Sequence, residues 1–402
     1  MPAEQRIRIL TPEQAAADIP KPSTAIGAAL SSTFATRGIY ENFSPQNFRR
    51  FRAALARQRA GGAVARIGAY GDSNSNGYQA ADATALYSRG YAARAREILN
   101  KEFAPSRDGI IFSRIGGANG KPDQRFTLGA GWTEFTATDH GPAGSGSVVG
   151  TGITAGTLDV ALPDVNSFTV YLPRFSNGAT SVSIWIDNEA ATVVSVNGVS
   201  AMLAITVTTS TVGAHVLRVK IDSTGSAYVQ AVEGYDSTTP AMRWTAVGRN
   251  GGTANEFNFA GTAPWNPQQL TFGPSVPVPD LIFLNLSINS HNAGVGESAY
   301  KAPMSILIAK AKAVADVILV ASAAGGYGSA ETWPSYLQWQ RDLAATHGCG
   351  VINMQDRWGT YALANSAPYS FWSDPDHPTL SGYWDMGQAV AEAVRLAAGR
   401  SA

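Results

Sequence analysis

Ser73, Asp374 and His377 are the residues whose types and spacing could do chemistry together. Ser73 follows Gly71-Asp72 at the end of an apolar run (Val64, Ala65, Ile67, Ala69, Tyr70). That pattern predicts a buried strand ending in a tight turn, with one hydroxyl at its C-terminal edge. Gly71 is expected to supply the backbone freedom for the turn. The same tripeptide also suits a helix start with Ser73 as N-cap, and Ser75 rules out a G-x-S-x-G elbow. Far down the chain, Phe371-Trp372-Ser373-Asp374-Pro375-Asp376-His377-Pro378 sets a carboxylate three residues before a histidine, ahead of an apolar helical pattern. On a turn the two can face the same side. The carboxylate then holds one imidazole nitrogen protonated, and the other is free to take a proton from a serine. Asp374 and Asp376 also suit a plainer role as caps of the following helix, Asp376 especially.

Together, Gly71-Asp72-Ser73 and Asp374-Pro375-Asp376-His377-Pro378 resemble the SGNH (GDSL-type) hydrolase superfamily. The resemblance implies a three-layer α/β/α, flavodoxin-like fold and acyl-ester hydrolysis, with Ser73 as nucleophile, His377 as base and Asp374 as orienter. It also implies an oxyanion hole built from the Ser73 N–H, a glycine N–H and an asparagine side chain. Val247-Gly248-Arg249-Asn250-Gly251-Gly252-Thr253 is similar to the family's glycine block and assigns Gly251, with Gly117 in Ile115-Gly116-Gly117-Ala118-Asn119 as runner-up. Leu286-Ser287-Ile288-Asn289-Ser290-His291 matches the family's Gly-x-Asn-Asp block at Asn289, with Ser287 and Ser290 departing from it. His291 is a second imidazole near this block, suited to substrate binding or to structure, since no matched carboxylate accompanies it.

The elements that must position these residues alternate. The Val64–Tyr70 strand leads into a helical pattern through Leu86, Tyr91, Ala95 and Leu99, and Gly109–Ser113 reads as a second strand of a doubly wound sheet. From Gly116 to Ser237 the rhythm changes to short alternating runs at 168–172, 182–186, 192–196, 203–207, 215–219 and 227–231, separated by turn signals such as Asn177-Gly178 and Asn197-Gly198. This predicts an antiparallel β-sandwich inserted into the α/β domain, similar to the accessory modules of some SGNH carbohydrate esterases. The α/β pattern resumes at Trp244–Val247 and runs through strands at 280–286 and 317–320, helices at 304–314 and 336–345, a strand at Cys349 and a last helix Leu380–Ala397. The expected organisation is an N-terminal arm (1–60), a first hydrolase part (61–118), the insertion (119–237), suited to carbohydrate binding or to a purely structural lid, and a second hydrolase part (238–402).

Composition narrows the function. Thirty basic residues balance thirty acidic ones and only 15% of residues are charged, so nucleic acid is not an expected partner. With 41 Gly and 9 Trp, the surface suits neutral polar ligands such as sugars. No cofactor or metal is expected: the five histidines are scattered, without metal-binding spacing, and no phosphate loop is present. One cysteine, Cys349, excludes an internal disulfide. Neither a membrane span nor a signal-peptide core is legible. The leader resembles those before enzymatic domains in phage tail and receptor-binding proteins. That implies attachment to a larger assembly, or a homo-oligomer, in a virion tail or extracellular setting. The expectation is a serine esterase acting on O-acyl, foremost O-acetyl, groups of a polysaccharide or cell-surface glycan. The alternatives are a lipase or thioesterase of the same fold, and a non-catalytic glycan-binding tail protein.

Overall fold

In the computed structural model, seven strands form a mixed sheet whose order is Tyr40–Glu41, Gly350–Asn353, Asp316–Ala321, Leu281–Asn285, Arg66–Gly71, Met242–Gly248, Ser106–Asp108. The structure describes residues 39–78, 90–115, 121–136, 147–153, 156–258, 276–329 and 332–399. All six strands from Arg66 onward pair in parallel, and Tyr40–Glu41 adds an antiparallel edge. Every residue of Leu281–Asn285 and of Asp316–Ala321 is buried, as expected for parallel strands covered on both faces. Arg66–Gly71 lies between strands from later in the chain, Met242–Gly248 on one side and Leu281–Asn285 on the other. Open α/β sheets bind ligands where neighbouring connections diverge, beyond the strands' carboxyl ends. Ser73 lies at that end of Arg66–Gly71.

The helices form where the sequence supplies both a stripe and its ends. Trp333–His347 starts at Thr332, whose side chain accepts from Ser335 N, carries a proline in its first turn and stops at Gly348 with φ +64°. Leu380–Ala397 starts at Thr379, which accepts from Gly382 N. Thr379, not Asp376, caps this helix. Tyr300, Met304, Leu307 and Ile308 of Glu297–Val314, with Tyr336, Leu337 and Leu343 of Trp333–His347, pack against Ile282, Leu284, Val317 and Leu319. Burying each such side chain is worth about 1.5–3 kcal/mol, so these two helices are held by their apolar stripes. The segment from Tyr40 belongs to this body: Tyr40 pairs with Ile352, and Phe51 N donates to Asp316 Oδ2 at 2.8 Å. Residues 1–38, which carry most of the expected arm, lie outside the described residues.

Between Asp108 and Met242 the chain forms antiparallel sheets. The larger orders Thr192–Val194, Val182–Ile186, Ala201–Ile221, Leu158–Arg174, Ala231–Tyr235 and Ile110–Phe112, with Phe126–Leu128 also pairing Leu158–Arg174. A three-stranded sheet (Ser226–Val229, Ser147–Thr151, Trp132–Phe135) shares its core, in which Trp132, Val148 and Val229 meet Leu172, Ile184 and Val219. Two expectations change. The runs at 203–207 and 215–219 are one 21-residue strand, because Thr208–Ala214 continues in extended form. Ile110–Phe112, expected as a second strand of the parallel sheet, pairs instead with Ala231, Val232 and Glu233, and Ser106–Asp108, just before it, joins the parallel sheet beside Met242–Gly248.

The two sheets meet at a buried charge cluster. Glu233, 2% exposed, accepts from Arg66 Nη1 at 2.8 Å, Arg243 Nη1 at 2.9 Å and Tyr171 OH at 3.3 Å. Burial alone would raise its carboxyl pKa, but the two guanidiniums outweigh it and hold the group below its ordinary value. Arg66 and Arg243 belong to parallel strands and Glu233 to the antiparallel sheet.

Candidate active site

The turn that presents Ser73 is set by the residues on both sides of it. Asp72, not Ser73, is the N-cap: its Oδ1 accepts from Asn74 N at 2.9 Å, and Ser73 opens the short helix Ser73–Asn76. Gly71 is required for space rather than for unusual backbone angles, since a Cβ there would collide with Asn285 O and Ser75 Oγ. The left-handed residue is Gly77, φ +75°, which closes the helix. Asp72 is fully buried, and burial pushes its carboxyl up to about 7.

His377 Nε2 lies 2.9 Å from Ser73 Oγ, although 304 residues separate them in sequence. On its other side, Nδ1 lies 2.9 Å from Asp374 Oδ2 and 3.0 Å from Oδ1. Asp374 is itself held by its own turn, with Oδ1 accepting from the backbone N–H groups of Asp376 and His377, each at 2.8 Å. Burial raises the Asp374 carboxyl, but these N–H groups and the His377 ring outweigh it, and it rests below the usual range. An ionised carboxylate against Nδ1 fixes the tautomer whose Nε2 accepts from the serine. The ring of Tyr78 packs on His377 with centroids 4.7 Å apart.

Asn289 and the Gly251 turn reach the same edge through strand register. Gly248, Gly71 and Asn285 are aligned across three adjacent parallel strands, so the segments that follow them emerge side by side. Asn289 Nδ2 donates to Gly252 O at 3.1 Å, joining two of those segments. Gly251 is exposed with φ +71°, in a turn closed by Gly252 N donating to Arg249 O. Gly117 lies outside the described residues. His291 is buried, with its ring stacked on Trp333 at 3.7 Å.

One link was not read from the sequence. Asn292 Nδ2 donates to Asp376 Oδ1 at 2.6 Å, tying the helix that carries Asn289 to the turn that carries Asp374 and His377. The only signal is helical spacing, three residues, between Asn289 and Asn292. Among the described residues no group of three or more His, Cys, Asp or Glu is arranged to hold a metal, and no helix is long and apolar enough to cross a membrane. The Cys349 thiol is buried and pushed up to about 12 by that burial.

No family model matches the chain, and a search of curated proteins finds no match. Among solved structures, a peptidoglycan O-acetylesterase superposes with a TM-score of 0.64 at 13% identity, covering 89% of this chain and 98% of its own. The two proteins share a fold. Family two carbohydrate esterases from Corynascus thermopiles (Myceliophthora fergusii) and Cellvibrio japonicus also match, at 13% and 11% identity over 67% and 68% of this chain and 100% and 97% of theirs. Their TM-scores are 0.31 and 0.27.

Proposed function

We propose that this chain is a serine esterase of SGNH type that removes O-acyl groups, foremost O-acetyl, from a glycan. The observation that carries the reading is the continuous relay from Ser73 Oγ through His377 to Asp374, with both links at 2.9 Å. Ser73 Oγ attacks the ester carbonyl carbon while its proton passes to His377 Nε2, and Asp374 stabilises the imidazolium that forms. Negative charge then develops on the carbonyl oxygen. An amide NH2 has two donors; with one of Asn289's on Gly252 O, the other is available to that oxygen, beside the N–H groups of Ser73 and Gly251. Collapse breaks the C–O bond, and the His377 proton goes to the leaving sugar oxygen. Water, deprotonated by His377, releases the acetate and restores Ser73.

The fold shared with a peptidoglycan O-acetylesterase supports an ester substrate on a carbohydrate. The helices packed on the parallel sheet support the three-layer α/β/α reading, and the two antiparallel sheets over one core support an inserted β-sandwich. The deciding experiment has two readouts. Acetate release is measured from a panel of acetylated glycans, and a fluorophosphonate probe is applied in parallel. Release and single-site labelling should both disappear in Ser73→Ala. Labelling that survives that substitution would remove Ser73 from the mechanism.

A further inference from the structure

A groove with charged residues in its walls lies at the end of the parallel sheet opposite Ser73. Two adjoining cavities of about 230 and 260 Å³ share Arg107, Asp164, Tyr235 and Asp236 in their walls. Arg107 and Arg243 stand in register with Arg66, the first residue of the strand that ends at Gly71. Five residue steps at about 3.3 Å put the groove roughly 17 Å along the sheet from the nucleophile turn. It therefore belongs to no part of the relay.

The chain makes local departures from regular structure to form this wall. The strand Leu158–Arg174 shifts register between Leu162 and Val165, and within that shift Asp164 takes φ +54°. A bulge re-aims side chains, and a non-glycine residue held at positive φ costs about 1 kcal/mol or more. Opposite it, exposed Arg107 has no ion-pair partner among the described residues. Asp236 Oδ1 is occupied by the N–H and hydroxyl of Thr238, which keep the carboxyl below its ordinary value and ionised. Tyr235 is fixed by the Arg243 guanidinium, 4.1 Å from its ring centroid.

We propose that this groove binds a neutral sugar unit of a glycan, as a second site remote from the relay. The two signs of charge select the ligand class. An anion would face Asp164 and Asp236, and a cation would face Arg107, while Arg96 in the same wall is already paired with Asp108. A polyol satisfies both, because its hydroxyls donate to the carboxylates and accept from the guanidinium, while Tyr235 offers a rigid apolar surface. The groove's lining joins Ser106–Asp108 of the parallel sheet to Leu158–Arg174 and Ala231–Tyr235 of the antiparallel one, so a bound glycan would span the seam between them.

The test uses the whole chain and ester-free probes, so its outcome is independent of the esterase reading. Cellohexaose, xylohexaose and chitohexaose are titrated by calorimetry, with a hexamer of galacturonic acid as the anionic comparison. At least one neutral hexamer should bind. Its affinity should fall tenfold or more in Asp164→Gly, which removes the carboxylate at a position where glycine relieves the backbone, and likewise in Arg107→Ala. Asp236→Asn, which keeps an acceptor for Thr238, guards against a variant that melts early. Failure of all three neutral hexamers to bind, affinity unchanged in all the variants, or tighter binding of the galacturonate hexamer would each overturn the proposal.

Discussion

Replacing Asp374 by asparagine and by alanine should separate two tasks that one carboxylate performs. Oδ1 is fixed by two backbone N–H groups at 2.8 Å, so the amide oxygen of Asp374→Asn must stay there. Its NH2 then takes the place of Oδ2, 2.9 Å from His377 Nδ1. A donor aimed at Nδ1 favours the tautomer with the proton on Nε2, which cannot accept from Ser73. A complete switch costs about 10⁴ in kcat where the same geometry is known. Here Oδ1, 3.0 Å from Nδ1, still offers an acceptor to the productive tautomer. The loss should therefore lie between about 10² and 10⁴, or roughly 2.7–5.4 kcal/mol of barrier, with the melting temperature unchanged. Asp374→Ala should lose comparable activity and also about 1–2 kcal/mol of stability, since the two N–H groups lose their acceptor. The carboxyl's folded-state pKa lies below its unfolded value, so its stabilisation is complete above the ordinary range near 4 and is lost on further acidification. Near pH 7.5 the comparison is free of that limb. The assay is steady-state hydrolysis of p-nitrophenyl acetate beside urea unfolding of each variant. An Asp374→Asn enzyme within tenfold of the parent, or one less stable than Asp374→Ala, would refute the reasoning.

Two further outcomes follow from the same site. Asn289→Ala should lower kcat by roughly 10²–10³ with KM little changed, as for loss of an oxyanion donor; steady-state kinetics showing a raised KM and unchanged kcat would make Asn289 a recognition residue instead. Asp72→Asn keeps an acceptor for Asn74 N while removing a buried carboxyl whose pKa is pushed up to about 7. Because the fold favours the protonated form, the parent's advantage is fully present below pH 4 and is lost as pH rises toward 7. The stability difference should thus move in favour of the variant by up to about 1.4 kcal/mol per pH unit across that window. Parallel stability curves for the two proteins between pH 4 and 7, followed by urea unfolding, would count against a buried, proton-binding Asp72.

The relay was legible because each half is local. A carboxylate three residues before a histidine on one turn, and a serine at a strand's end, need no knowledge of partners, and the sheet brings the halves together. The short-range chemistry around them was less legible. Gly71 was read as a source of backbone freedom, yet its requirement is the approach of Asn285 O and Ser75 Oγ from segments distant and near in sequence. Asp376 suits a cap as the plainer alternative, because it precedes a helix, but Thr379 is closer to the helix start, and Asp376 is engaged by Asn292 instead. Ile110–Phe112 shows the limit of periodicity most plainly. Three buried apolar residues carry no record of whether their partner runs parallel or antiparallel, and the pairing with 231–233 depends on residues about 120 positions away.

That pairing changes what the antiparallel region does for the site. Removing residues 119–237, the extent expected for the insertion, would take away Glu233, the buried carboxylate that accepts from half-buried Arg66 and Arg243. Glu233→Ala in the intact chain would leave the two half-buried guanidiniums beside each other without their counter-charge, a cost closer to the about 3–5 kcal/mol of a broken buried pair than to the at most about 1 of a surface pair. Arg66 opens the strand that closes at Gly71 and presents Ser73, and Arg243 is the second residue of Met242–Gly248, the strand that leads into the Gly251 turn. Glu233 therefore ties together, at their N-terminal ends, the two strands whose C-terminal ends lead to Ser73, the proposed nucleophile, and to Gly251, one proposed oxyanion donor. A boundary that respects this coupling must leave Ile110–Phe112 and Glu233 on the same side, since they share one strand pairing. Through Glu233 the antiparallel sheets are thus tied to the strands that lead to Ser73 and to the Gly251 turn.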